Sequence, residues 1–223
     1  MADLKTLSPA EMASQLGKPE GDTGRAVGEM LNRINADITA AVYQRLMLQA
    51  EYRILEIGFG NGRLLPALLT LADDLTYVGL DRAETMVAEA AAYNAELVAA
   101  GRASFRLGSA EAIPCDDASF DRTFAVNVIY FWPDAVKALA EMRRVLRPGG
   151  LSVIASNVSA PGETPPPFVR PEFGFHRRDR DTLLALHREA GFSEILVDDY
   201  QETAPMPDGT SQKRNYAIVL ARP

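Results

Sequence analysis

The sequence predicts an α/β fold: a mostly parallel, seven-stranded sheet with helices on both faces. Two observations carry this. From about residue 53 onward, short apolar runs alternate with amphipathic stretches. Alternating strands and helices build parallel sheets, because each helix returns the chain to the start of the next strand. Second, the apolar run Ile54-Leu55-Glu56-Ile57 passes directly into Gly58-Phe59-Gly60-Asn61-Gly62 ahead of a leucine-rich stretch. A glycine turn at that place joins strand to helix and lets backbone approach a ligand.

The elements follow in order. Residues 1–35 precede the first strand-helix unit and read as loop, then helix. Residues 52–57 are the first strand, ended by glycines. Residues 63–72, with leucines at 64, 65, 68, 69 and 71, have helical character. A second strand, 75–80, ends at Asp81. Residues 84–100 are rich in Ala and Glu, both strong helix formers. Residues 103–107 and the β-branched run 122–129 are strands three and four. Residues 134–146 place apolar side chains at 136, 139, 142, 145 and 146, a helical spacing stopped by Pro148-Gly149-Gly150. A fifth strand covers 151–155. A charged helix at 181–190, with His187 expected on its surface, stops at Gly191. Residues 195–197 and 216–220 are the last two strands. The segment 157–175, NVSAPGETPPPFVRPEFGF, is too long for a minimal connection and reads as a lid or binding loop.

Composition bounds the function. The chain has 223 residues, 47% apolar and 24% charged, which suits one globular domain with a short appendage. A net charge of −7 speaks against nucleic acid as a partner, since that needs a basic face. The longest basic cluster, His176-Arg177-Arg178-Asp179-Arg180, contains its own acid and reads as a solvated helix start. No apolar run has the length of a signal peptide or a membrane span. The single cysteine, Cys115, forms no internal disulfide or cysteine-based metal site, and a cytoplasmic protein is the expectation.

Asp81 ends the second strand 19 residues after Gly62. In a parallel sheet it would sit beside the end of the first strand, where a carboxylate accepts both hydroxyls of a ribose. NAD enzymes use the same device, so spacing has to separate the two. The dinucleotide pattern would put its third glycine at position 63, which is Arg63; here it falls one residue early, at Gly62. Glu56, two residues before Gly58, suits the amino-acid head of a ligand without a pyrophosphate.

These residues carry a family resemblance. LEIGFGNG (55–62), GLDRAETMVAEA (79–90), GSAEAIPCDDASFDRTFAVNVIYFW (108–132) and EMRRVLRPGGLSVIA (141–155) resemble, in order and spacing, the motifs of class I S-adenosylmethionine-dependent methyltransferases. The quinone C-methyltransferase-like, small-molecule subgroup is the nearest match. The resemblance spans about residues 53–156. It implies a Rossmann-like seven-stranded sheet with the last strand antiparallel, S-adenosylmethionine as cofactor and a small-molecule acceptor. Glu56, Gly58, Gly60 and Gly62 would line the methionine and sugar of the cofactor, with Phe59 and Asn61 against it through the loop backbone. Asp81 would hold the ribose. Arg82 and Met86 would border the adenine, and Ser109 and Ala110 would read its edge. Many relatives carry Asp where this chain has Ser109, so a direct carboxylate contact to the adenine amine is missing there; Glu111 reads either as its substitute or as a solvated turn residue. Asn127 would face the methionine part. GKPEGDTGRAVGEMLNRIN (17–35) is similar to a segment that covers the cofactor in some of these enzymes. Its usual Met-Asn-x-x-Asn stands here as Leu31-Asn32-Arg33-Ile34-Asn35. This divides the chain into a lid, 1–35, and a cofactor-binding domain, 36–223.

Methyl transfer from a sulfonium needs alignment above all, because the leaving sulfur takes no proton. The candidate acceptor pocket comprises Asn35, Tyr130, Trp132 and His176. His176 is the one candidate base, and an aromatic wall suits a sulfonium cation. Asp134 is the only acid close after the fourth strand, so no metal is expected. Two alternatives stand beside this reading. An NAD-dependent oxidoreductase is disfavoured by the Gly62 spacing and by the lack of a Tyr-x-x-x-Lys pair. A catalytically silent cofactor-binding protein of the same fold is not separated by sequence.

Overall fold

The computed structural model describes residues 4–159, 162–205 and 211–223. Residues 1–3 of the N-terminal segment and 160–161 of the proline-rich loop thus lie outside the description. Seven strands form one sheet: β1 (Arg53–Ile57), β2 (Thr76–Asp81), β3 (Ala103–Leu107), β4 (Phe120–Val126), β5 (Leu146–Val158), β6 (Glu194–Pro205) and β7 (Ser211–Arg222). Their order is β3-β2-β1-β4-β5-β7-β6. Leu55 of β1 pairs in parallel with Val78 of β2 and Thr123 of β4, whereas β7 runs antiparallel to both β5 and β6. The chain winds outward from β1 to β3 and then returns to the other side of β1 with β4. That reversal opens a crevice at the C-terminal ends of β1 and β4, the place where open α/β sheets bind ligands.

Side-chain alternation divides the core into two layers. Leu55, Ile57, Val78 and Leu80 face α7 (Ala135–Val145) and α8 (Arg180–Glu189). Ile54, Tyr77 and Phe124 face α3 (Ala36–Arg45) and α5 (Glu84–Tyr93). Asp134 and Asp179 cap α7 and α8, accepting hydrogen bonds from the Lys137 and Thr182 amides.

Several elements differ from the sequence expectation. The leucine-rich stretch 63–72 holds only one turn, α4 (Leu65–Leu68). Thr70 then takes the Ala67 carbonyl with its hydroxyl, and the Thr70 and Leu71 amides close three-residue turns. The expected helix at 84–100 breaks at Asn94 into α5 and α6 (Ala95–Ala99). The buried Asn94 amide donates to the Gly62 carbonyl at 3.1 Å and to Ala90 at 2.9 Å, tying the break to the glycine loop. The strand β4 ends at Val126 rather than 129, because Asn127 adopts φ +56° and turns the chain into a 3-10 turn at Ile129–Phe131. Strand β5 starts at Leu146 and takes in Pro148-Gly149-Gly150, and β6 and β7 form a longer hairpin than 195–197 and 216–220 suggest. His187 is fully buried against Phe192, not exposed: its Nδ1 lies 2.7 Å from the Leu183 carbonyl, and burial pushes its pKa down to about 4.

The N-terminal segment is two helices, α1 (Pro9–Gly17) and α2 (Gly21–Ile34), followed without a loop by α3. Helix α2 packs on α1 and on α5. Gly24 lets α2 start close against the preceding connection: a Cβ there would lie 2.5 Å from the Pro19 carbonyl carbon. No helix among the described residues is long and apolar enough to cross a membrane.

Candidate functional site

A cavity of about 520 Å³ opens at the crevice, between the C-terminal ends of β1, β2 and β4 and the inner face of α2. Its size is that of a small-molecule site, about 300–1,000 Å³. All but one of the predicted site residues line it.

The glycine loop forms its floor. Gly58, Gly60 and Gly62 have φ values of +74°, +62° and +69°, which side chains rarely tolerate. Space adds a second reason: a Cβ would lie 2.5 Å from Val128 at Gly58 and 2.7 Å from Ala90 at Gly62, while at Gly60 nothing stands within 4 Å. Gly60 therefore presents bare backbone to the cavity. Asn61 is buried beside it. The Phe59 ring turns into the core, 5.1 Å from Phe105, in room left by Gly79, whose Cβ would meet it at 2.5 Å.

Two acids flank the loop. Asp81 accepts from the Ala83 amide at 2.9 Å and the Gly60 amide at 3.3 Å. Burial nevertheless pushes its pKa up to about 6. Glu56 is buried one strand away and accepts from the Tyr77 hydroxyl at 2.6 Å. Burial raises it to about 7 against that hydrogen bond, and the charge of Asp81 adds to the rise. A trough with two reluctant carboxylates favours a ligand that brings positive charge and hydroxyl donors.

At one end of the trough lie Arg82, Met86, Ser109 and Ala110. Met86 is fully buried, and Gly28 of α2 lets the helix approach its sulfur: a Cβ there would sit at 3.4 Å. Arg82 reaches across to α1, donating from Nε to the Gly17 carbonyl at 2.7 Å. The Ser109 hydroxyl donates to Glu111 Oε2. The other oxygen, Glu111 Oε1, is buried with no partner. On α2, the Asn32 Nδ2 is likewise buried and unpartnered. A cavity wall thus holds one acceptor and one donor in need of a ligand.

At the opposite end a chain of amides crosses the sheet edge. Asn127 Nδ2 donates to Asn35 Oδ1 at 3.1 Å, and the Asn157 amide donates to Asn127 Oδ1 at 3.1 Å. Tyr130 and Trp132 wall this end. Tyr130 stacks on Phe175 with ring centroids 4.3 Å apart. His176 is the exception among the predicted residues. Phe175 is buried, His176 exposed and Arg177 half-buried, the alternation of an extended chain, so the imidazole points out and Arg177 lines the cavity instead. Sequence reading missed Asn157, Arg177 and Tyr216. The sheet order supplies the last of these: β7 lies next to β5, with Asn157 opposite Tyr216. No local pattern signals that pairing.

Comparison with known proteins agrees with this geometry. Residues 55–154 match the family model described as a methyltransferase domain. The O-methyltransferase cnsE of Penicillium expansum is 32% identical over 184 residues, covering 81% of this chain and 64% of that protein. The 27-O-demethylrifamycin SV methyltransferase of Amycolatopsis mediterranei is 34% identical over 123 residues, covering 54% of this chain and 44% of that one. The chain therefore spans less than two thirds of either relative. Among solved structures, Haemonchus contortus phosphoethanolamine N-methyltransferase 2 superposes with a TM-score of 0.74 at 17% identity, covering 98% of this chain and 61% of its own. The [4+2]-cyclase SpnF superposes with a TM-score of 0.67 at 23% identity, covering 83% and 80%.

Proposed function

We propose that this chain, whose residues 55–154 match a methyltransferase domain, is a class I S-adenosylmethionine-dependent methyltransferase that transfers a methyl group from S-adenosylmethionine to a small-molecule acceptor. The carrying observation is the trough itself: the bare Gly60 backbone between Glu56 and Asp81, with the unpartnered Glu111 Oε1 at its far end. Asp81 would accept from the ribose hydroxyls and Glu56 from the amino-acid head. Glu111, with Ser109 hydrogen-bonded to it, would accept from the adenine amine, taking the part of the aspartate that the family pattern places at 109. Asn127 would face the methionine portion. The names of the two relatives support oxygen as the acceptor atom; neither speaks for the quinone C-methyltransferase subgroup, and the nicotinamide alternative gains no support. A cytoplasmic setting rests on the lone, half-buried Cys115.

S-adenosylmethionine supplies an activated methyl on a sulfonium, so the protein's contribution is placement. The amide chain Asn35–Asn127–Asn157 fixes the end of β4, where the methyl would be presented. Tyr130 and Trp132, both buried, wall that end. Helix α2 closes the trough from above, which is the reading of residues 1–35 as a lid. The test is calorimetry. S-adenosylmethionine and S-adenosylhomocysteine should bind and NAD should not; tight NAD binding with no response to either sulfur compound would end the proposal.

A further inference from the structure

Beyond Asn127 the cavity wall carries Arg177, Lys213 and Arg214, with Glu163 on the same wall and Glu202 opposite Arg214 in the β6–β7 pairing. The Arg177 side chain is sheltered, at 14% exposed. Its Nη2 donates to Asn157 Oδ1 and lies 3.6 Å from Glu163 Oε2. Both contacts engage Nη2, and a guanidinium has three further N–H donors in its planar fork. Asn157 is held in turn by Asn127 and by the Asn215 carbonyl, 3.1 Å from its Nδ2. The guanidinium is thereby fixed two side chains away from the residue at the methyl-presenting end. On the same wall, Tyr130 offers an aromatic face, and the buried Tyr216 hydroxyl is occupied by Glu202 at 2.8 Å.

We infer that the methyl acceptor is a cyclic organic oxyanion, with its carboxylate or phosphate gripped by Arg177 and its ring beside Tyr130. The inference rests on the methyltransferase reading and adds the acceptor class. The anion serves as anchor and is not itself altered. A hydroxyl elsewhere on the ring forms the new O–C bond as the S–C bond breaks; the electron pair of that bond stays on sulfur and the hydroxyl proton passes to water. Arginine suits the anchor because its fork meets two oxygens of a carboxylate or phosphate at once.

The experiment is calorimetry on the full chain loaded with S-adenosylhomocysteine. It titrates 4-hydroxybenzoate against 4-hydroxybenzamide, and phenyl phosphate against phenol. At least one anion should bind about 10-fold or more tighter than its neutral partner, as charge-assisted hydrogen bonds allow. Preference for the benzoate assigns a carboxylate anchor, and preference for the phosphate assigns a phosphate. Arg177→Gln should erase the preference without changing affinity for S-adenosylhomocysteine. Arg177→Lys, which keeps the charge but not the fork, should restore part of it. Equal binding of anion and neutral partner overturns the inference, and so does binding of no anion by protein that still holds S-adenosylhomocysteine. Failure to bind S-adenosylhomocysteine overturns the methyltransferase reading instead.

Discussion

In the proposed site, position 109 bears on how the adenine would be held. The resemblance implies a carboxylate there and the chain has Ser109, so Glu111, whose Oε1 is buried and unpartnered, would carry the negative charge. An unpaired buried oxygen costs about 1–3 kcal/mol, which a ligand donor would relieve. Glu111→Gln should therefore weaken S-adenosylhomocysteine, and it should weaken the inosine analogue, which lacks the amine, much less. A double-mutant comparison of Glu111→Gln with the two ligands isolates that contact; equal losses for both would remove Glu111 from the adenine edge. At the other carboxylate, Asp81→Ala should weaken S-adenosylhomocysteine roughly 10- to 100-fold, the loss of hydrogen bonds to a charged group. Circular dichroism should show the variant folded, because Asp81 sits at a strand end among backbone amides and not in the apolar layers. An unchanged dissociation constant would show that Asp81 does not hold the ribose.

The helix α2 is bound lightly for an element that roofs the cavity. Val27 is its fully buried apolar side chain, and its flanks are held by the exposed pairs Arg25–Glu89 and Glu29–Arg63. Such pairs contribute about 0–1 kcal/mol each and weaken with salt. Arg82 adds one hydrogen bond from β2 to the end of α1. A chain beginning at Ala36 should therefore keep its sheet by circular dichroism, since Ile38 and Val42 of α3 remain in the core. It should bind S-adenosylhomocysteine more weakly than the full chain. Equal affinity would make residues 1–35 a cap on the core and not a lid. The contrast between elements also explains what the sequence could tell. β1, its glycine loop and Asp81 were legible because strand, turn and carboxylate are close in the chain and each position has one physical job. The break at Asn94, the inward turn of Arg177 and the burial of His187 were not, because each is settled by a partner distant in sequence or by packing: Gly62 for Asn94, Asn157 for Arg177 and Phe192 for the His187 ring. The short α4 was missed for a different reason: leucine spacing alone does not reveal where turns cut a helix off.

Taken whole, the molecule carries buried titrating groups of opposite sense, and their balance predicts how its stability depends on pH. Glu56 and Asp81 have folded pKa values raised to about 7 and about 6 from ordinary values of 4.5 and 3.8. Their stabilisation is complete below the unfolded values and is lost as pH rises through the folded ones. His187 is the reverse, about 4 when folded and 6.5 when free. Its contribution is present above 6.5 and is lost as pH falls toward 4. Between pH 5 and 6.5 the two carboxylates outweigh the one imidazole, because each group exchanges at most one proton with solvent. The free protein should thus lose melting temperature as pH rises over that range. His187→Phe should steepen the loss, since it removes the opposing group while keeping an aromatic ring in the core. Saturating S-adenosylhomocysteine should reverse the slope. A ligand that presents an ammonium to Glu56 and hydroxyls to Asp81 holds both ionised and draws their folded pKa values back down, leaving His187 to set the trend. The same linkage requires proton release on binding near pH 6.5, seen as calorimetric heats that differ between buffers of different ionisation enthalpy. A melting temperature that tracks pH identically with and without ligand would mean that neither carboxylate touches it.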